Sequence, residues 1–235
     1  RGRRAVIAST KCVAIHKTKG VITMLFKSEL YSIEYNEKSK SLVQTVNETL
    51  NQNFKRILDF WEIQKLENYV EIRIFSDLEE WKTFYESFER GPYQDYIIGC
   101  ADGSKIFVLA YDEYKKTNVH KNDTVEDFQK IIIHEFVHIC QNQISTPEST
   151  TSFIMGEGLA TYLADQPYNH DIKIDYPKED IFNFEKLFTL TNDLYSFAQK
   201  IVRKIAEKVP REKLIEYSLN YTKLYNDWES LGFSE

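Results

Sequence analysis

A run of about 18 apolar residues, the length that crosses a bilayer, is missing from this sequence. So is the apolar core of a secretory leader near its start. Glycine and proline are scarce, eight and five in 235 residues, which leaves no linker, repeat or low-complexity block and argues against disorder. The cysteines Cys12, Cys100 and Cys140 are odd in number and unrelated in spacing, so they provide neither a disulfide framework nor a four-ligand zinc site. That usage suggests a reducing compartment, and a cytoplasmic protein is the expectation. A removed leader stays open, since the chain begins at Arg1 without a Met. Basic charge is not in excess either. A net charge of -6 offers no basic face, and nucleic acid is not expected as a partner.

What is present is apolar and aromatic material in quantity, 42% and 14%, enough for a sizeable core. Residues 1–20 carry Arg1, Arg3, Arg4, Lys11, Lys17 and Lys19 and no acid, and read as a basic N-terminal segment, a solvated tail or an anionic-surface contact. Residues 21–235 read as a single domain, an α+β subdomain over 21–143 and a helical subdomain over 144–235. Within the first, 21–27 and 70–74 pattern as strands and 39–66 as a long amphipathic helix. A second helix opens at Ser76-Asp77 and runs to about 88. The apolar runs 96–98 and 106–110 are joined through Asp102-Gly103-Ser104 like a hairpin. From 124 on, helices are predicted over 124–143, 151–165, 178–188, 193–207 and 211–221, with a last turn near Trp228. Strands first and helices afterwards make an α+β architecture.

The chemistry concentrates in the 124–143 helix, which opens on a capping signature, Thr124 with Asp127 three residues on, and continues without a breaker. Its His134 and His138 stand four residues apart, hence on one helix face about 5–6 Å apart, where both can reach one metal ion. Ile131, Ile132, Ile133, Phe136, Val137 and Ile139 make nearly every side of the helix apolar, so it should be buried. Unpaired polar groups in that setting cost roughly 1–3 kcal/mol each. Zinc (Zn2+) resolves the cost, and Glu135 can then take a proton from a water at its open position. The bland alternative is a pair of satisfied core histidines with Glu135 in an ion pair. The next helix argues against it: Gly156-Glu157-Gly158-Leu-Ala-Thr-Tyr-Leu places Glu157 nineteen positions after His138, beyond a turn-rich loop that allows it to fold back. Gly156 and Gly158 flank the carboxylate where close helix approach needs small side chains. Cys140 reads as helix core rather than nucleophile, and His16 and His120 as exposed.

His-Glu-Phe-Val-His followed by Gly-Glu-Gly-Leu-Ala-Thr-Tyr-Leu resembles the gluzincin zinc metallopeptidases, the peptidase-MA-like group, with the ligand spacing of the aminopeptidase-N type. The resemblance implies a zincin-like fold, an N-terminal mixed sheet with helices and then a mostly helical part, the active-site helix between them. It implies zinc on His134, His138 and Glu157, which polarises a scissile carbonyl and acidifies a water whose proton Glu135 passes to the leaving amine. A peptide or protein is the substrate, held by strand addition at an edge strand, 106–110. Tyr195 stands where the family's helical end carries a Tyr and would bind developing charge on the carbonyl oxygen, with His170 its rival.

Two departures matter. The Gly-x-Met-Glu-Asn motif that grips a free amine in the aminopeptidases is absent, which favours an endopeptidase over an aminopeptidase. Four residues after Glu157, where the thermolysin-like branch has an Asp supporting a zinc histidine, stands Thr161, whose hydroxyl would have to serve instead. A zinc-binding module of the same fold that binds a peptide or partner without cutting is the other reading, and the intact Glu135 weighs against it.

Overall fold

The computed structural model describes residues 14–18, 21–88 and 91–233, with backbone alone for 14–18 and 21. Cys12, the side chain of His16 and most of the basic segment 1–20 lie outside them. The chain forms two compact units, Arg1–Leu50 with Glu67–Ile132 and Asn51–Leu66 with Ile133–Glu235. The class is α+β, with one mixed sheet and ten α-helices among the described residues. No helix among them is long and apolar enough to cross a membrane.

The first unit carries the sheet. Strands β1 (Ala14–Thr18), β2 (Val21–Lys27), β3 (Tyr31–Tyr35), β4 (Val70–Phe75), β5 (Gly99–Asp102) and β6 (Lys105–Leu109) lie in the order β1-β2-β3-β4-β6-β5. β4 is parallel to both of its neighbours, β3 and β6, and the outer pairings are antiparallel. Alternation in β4 sends Val70, Ile72 and Ile74 inward and leaves Glu71 exposed, while Arg73 sits between Glu34 and Glu80 at 3.5 and 3.0 Å. Helix α1 (Lys40–Phe60) contributes residues 40–50, and α2 (Leu78–Glu86) starts where the Asp77 carboxylate accepts from Glu80 N. The short α3 (Tyr111–Tyr114) and residues 125–132 of α4 (Val125–Ile144) complete the unit.

Two expectations change here. The hairpin turns at Gly103, whose φ of +56° suits glycine, but its first strand is Gly99–Asp102 rather than 96–98. Nor are residues 106–110 a sheet edge, because β6 bonds to β4 on one side and β5 on the other, so on that side the edge is β5. Ile106, Val108 and Leu109 are wholly buried, and such an unbroken apolar run is what a strand covered on both faces requires.

The second unit is helical among its described residues. It takes residues 51–60 of α1, 133–144 of α4, and helices α5 (Phe153–Leu163), α6 (Lys178–Ile181), α7 (Phe184–Leu190), α8 (Leu194–Ala206), α9 (Arg211–Leu219) and α10 (Tyr221–Asp227). Helix α1 stops at Phe60, short of 66, in a left-handed cap: Glu62 has φ 58°, and Ile63 N donates to Leu58 O at 3.0 Å. The helix expected over 178–188 is two helices, because the Asn183 side chain accepts from Glu185 N and Lys186 N and starts a new one. That over 211–221 breaks at Asn220 for a tertiary reason. Thr150 N donates to Leu219 O and Tyr221 N to Thr150 O, both at 2.8 Å, which draws those backbone groups out of the helix.

Candidate metal centre

His134, Glu135, His138, Glu157 and Tyr195 all sit in the second unit. Helix α4 begins with the capping pair foreseen: Thr124 Oγ1 accepts from Asp127 N at 3.3 Å and Asp127 Oδ2 accepts from Thr124 N at 2.8 Å. Around the two histidines its apolar residues Ile131, Ile132, Ile133, Phe136, Val137 and Ile139 are buried, Phe136 and Val137 completely, and Phe136 stacks on Phe54 with ring centroids 4.5 Å apart. This fixes the rotation of the helix and presents His134 and His138 together. Helix α5 is capped by Ser152, which accepts from Met155 N, and it delivers Glu157 in its second turn. Its placement depends on Gly158, where a Cβ would lie 2.6 Å from Val202 Cγ2 and 2.7 Å from Ala198 O of α8. Gly158→Ala should therefore destabilise the protein by about 1–3 kcal/mol, as overpacking does. At Gly156, where a Cβ would meet only Thr151 Cγ2 at 3.6 Å, alanine should be neutral or stabilising. Urea unfolding of the two variants side by side checks this, and equal effects would refute it.

Three donor atoms converge. His134 Nε2 and His138 Nε2 are 3.1 Å apart, and Glu157 Oε2 lies 3.2 Å from the first and 3.6 Å from the second. Tetrahedral zinc with ligand distances of ~2.0–2.1 Å holds its donors ~3.3–3.4 Å apart, a length these spacings bracket. Among the described residues these three form the one group of His, Cys, Asp and Glu that could hold a metal ion. His134 is buried, while the side chains of His138 and Glu157 keep 20% and 24% of their surface exposed, so the centre is open on one side.

The far nitrogens decide the tautomers. Gln141 Nε2 donates to Gly156 O at 3.1 Å, so its Oε1, 2.7 Å from His138 Nδ1, accepts that ring's proton. Gln166 Oε1 serves His134 Nδ1 in the same way at 2.9 Å. With both Nδ1 protons engaged, each Nε2 turns a lone pair toward the centre, beside a carboxylate oxygen. Three electron-rich atoms at this distance need a cation among them.

In the protein by itself a proton meets part of that need. Burial presses His138 toward its neutral form, but the charge and hydrogen bond of Glu157, the charge of Glu135 and the Gln141 amide outweigh it, and the ring is pushed up to about 9. Burial would likewise raise the Glu157 carboxyl, yet the charge of His138 and hydrogen bonds from both histidines hold it well below the usual carboxylate range.

Glu135, 6% exposed, is near enough for its charge to act on His138. Tyr195, in the first turn of α8, is 41% exposed, with its ring 6.2 Å from that of His134. His170 is exposed with its ring against Tyr168, and is not one of the converging donors. Cys140 is fully buried and burial pushes its thiol up to about 12, which suits helix core. His120 is not exposed as expected: its side chain is 15% exposed and pairs with Asp123 at 2.8 Å. Thr161 does not support a histidine, since its hydroxyl donates into its own helix, to Glu157 O and Gly158 O. Gln141 and Gln166 do so instead. Gln141 was within reach of the sequence, three residues past His138 on the same helix face. Gln166 was not, because it follows a left-handed residue, Asp165 at φ 50°, and is held by Gln199 of α8, which donates to its carbonyl at 3.0 Å.

No protein-family model matches this chain, and no curated protein does.

Proposed function

We propose that this chain is a zinc-dependent peptidase of the gluzincin type with a zincin-like fold, and that it acts as an endopeptidase. One observation carries the reading: two Nε2 lone pairs, fixed by glutamine carbonyls, and the Glu157 carboxylate converge at tetrahedral spacing beside the buried Glu135. His134, His138 and Glu157 would hold the metal, which when bound supplies Lewis acidity toward a carbonyl and a water. Glu135 is the base that takes the water's proton and returns it to the leaving amine. Tyr195, partly exposed with its ring 6.2 Å from that of His134, would donate a hydrogen bond to the substrate's carbonyl oxygen as charge develops there. Gln141 and Gln166 orient the two rings.

Metal analysis of the purified protein tests the reading. The wild type should carry stoichiometric zinc, and His138→Ala and Glu157→Ala should lose it; a wild type without zinc would sink the proposal. Acetylation of peptide N-termini should leave cleavage intact, whereas an aminopeptidase would stop. Gln141→Leu, which removes the acceptor for His138 Nδ1–H, should weaken zinc binding about 10- to 100-fold. A competition titration against a chromogenic chelator reads the change, and an unchanged affinity would remove Gln141 from the site.

A further inference from the structure

Phe184 and Phe188, one helical turn apart on α7, are 60% and 47% exposed, while the same helix buries Leu187. A lone exposed phenylalanine is ordinary, but these belong to a connected set. Their rings lie 4.9 Å apart, and both meet Phe153 at the start of α5, at 6.2 and 6.4 Å. Phe153 in turn lies 6.4 Å from Tyr195, which is 6.2 Å from His134. Aromatic surface therefore runs without interruption from a solvent-facing patch to the rim of the candidate metal centre. Such surface in water contributes little to the fold, because the unfolded chain exposes it as well.

We propose that Phe153, Phe184 and Phe188 form a subsite for a large apolar side chain, Phe or Leu in kind, of the peptide substrate. The inference rests on the peptidase reading of the neighbouring site. Each ring-to-ring step is just over 6 Å, and an extended peptide rises ~3.3 Å per residue, so the recognised side chain lies within a few residues of the bond that is cut. The occupant is apolar because the patch offers ring faces and edges, and continuity with His134 makes the substrate, rather than a distant partner, the molecule that meets it.

The test is the double variant Phe184→Ser/Phe188→Ser. Phe184 and Phe188 are 60% and 47% exposed, and the buried face of α7 keeps Leu187, so folding and zinc content should be unchanged. For a short acetylated, amidated peptide with one central Phe, kcat/KM should fall about 50-fold, the loss expected when one large apolar side chain is no longer buried, and the Ala counterpart should change about 2-fold or less. Calorimetric titration of the same two peptides into Glu135→Gln, with and without the two serines, reads binding without hydrolysis and should show the same selective loss. Equal losses for both peptides, or none, would overturn the subsite. So would a change in sedimenting mass with an unaltered peptide profile, which would make the patch a self-association surface. If the wild type cuts nothing, the peptidase reading fails, and the calorimetric arm still decides whether the patch selects apolar peptides.

Discussion

Glu135→Gln should lower the turnover of any cleaved peptide by about 100- to 10,000-fold, the contribution of a positioned general base, and leave zinc stoichiometry and the thermal midpoint near wild type. Glutamine keeps the size of the side chain and loses only its capacity to take a proton. Glu135 adjoins His134 in sequence, and successive helix residues point about 100° apart, so its carboxylate flanks the donor cluster rather than joining it. That position separates the roles: loss of His138 or Glu157 should remove metal and activity together, loss of Glu135 activity alone. Metal analysis and peptide kinetics on the same preparation check it, and a variant that lost zinc in step with activity would make Glu135 a ligand or a structural residue instead.

Zinc should raise the thermal midpoint, and the gain should grow with pH. In the metal-free protein the raised His138 ring, at about 9 against about 6.5 unfolded, stabilises the fold fully below about pH 6.5 and stops doing so as the pH climbs through about 9. The depressed Glu157 carboxyl works the other way: its contribution is present above the ordinary carboxylate range and is lost as the pH falls. A metal must displace the proton on His138, so its apparent affinity should rise about tenfold per pH unit until about pH 9. Free zinc at about 100 times its dissociation constant adds about 2.7 kcal/mol, so at fixed zinc the increment should widen from about pH 6 to 9 while the metal-free baseline declines. Thermal melts with zinc or with EDTA across that range measure both trends. An increment that is flat, or larger at low pH, would show that no proton is exchanged for the metal.

The donor cluster was legible because its determinants are local. Thr124 and Asp127 start α4, the apolar residues around His134 bury it, and the four-residue step aligns the rings, none of which needs knowledge of the rest of the chain. Glu157 could be placed because a loop and a capped helix follow at once. What could not be read was set by tertiary contact. Gln166 reaches His134 only because the chain reverses at Asp165 and Gln199 catches its carbonyl, and the break at Asn220 exists only because Thr150 bonds there. The misplaced sheet edge has another cause. A run such as 106–109 is compatible with any buried strand, and strand order is a property of the sheet, not of the segment.

The missing side chain at Gly158 has a mechanical consequence. There the α5 backbone packs closely against the Val202 side chain and the Ala198 carbonyl of α8, and close packing of this kind resists sliding or rotation of one helix against the other. Glu157 stands next to Gly158 on α5, and Tyr195 stands one turn before Ala198 on α8, so the same contact sets the registration of the two groups. Phe184 and Phe188 lie on α7, outside that contact, so under the proposed reading a peptide side chain would be gripped or released there without shifting Glu157 against Tyr195.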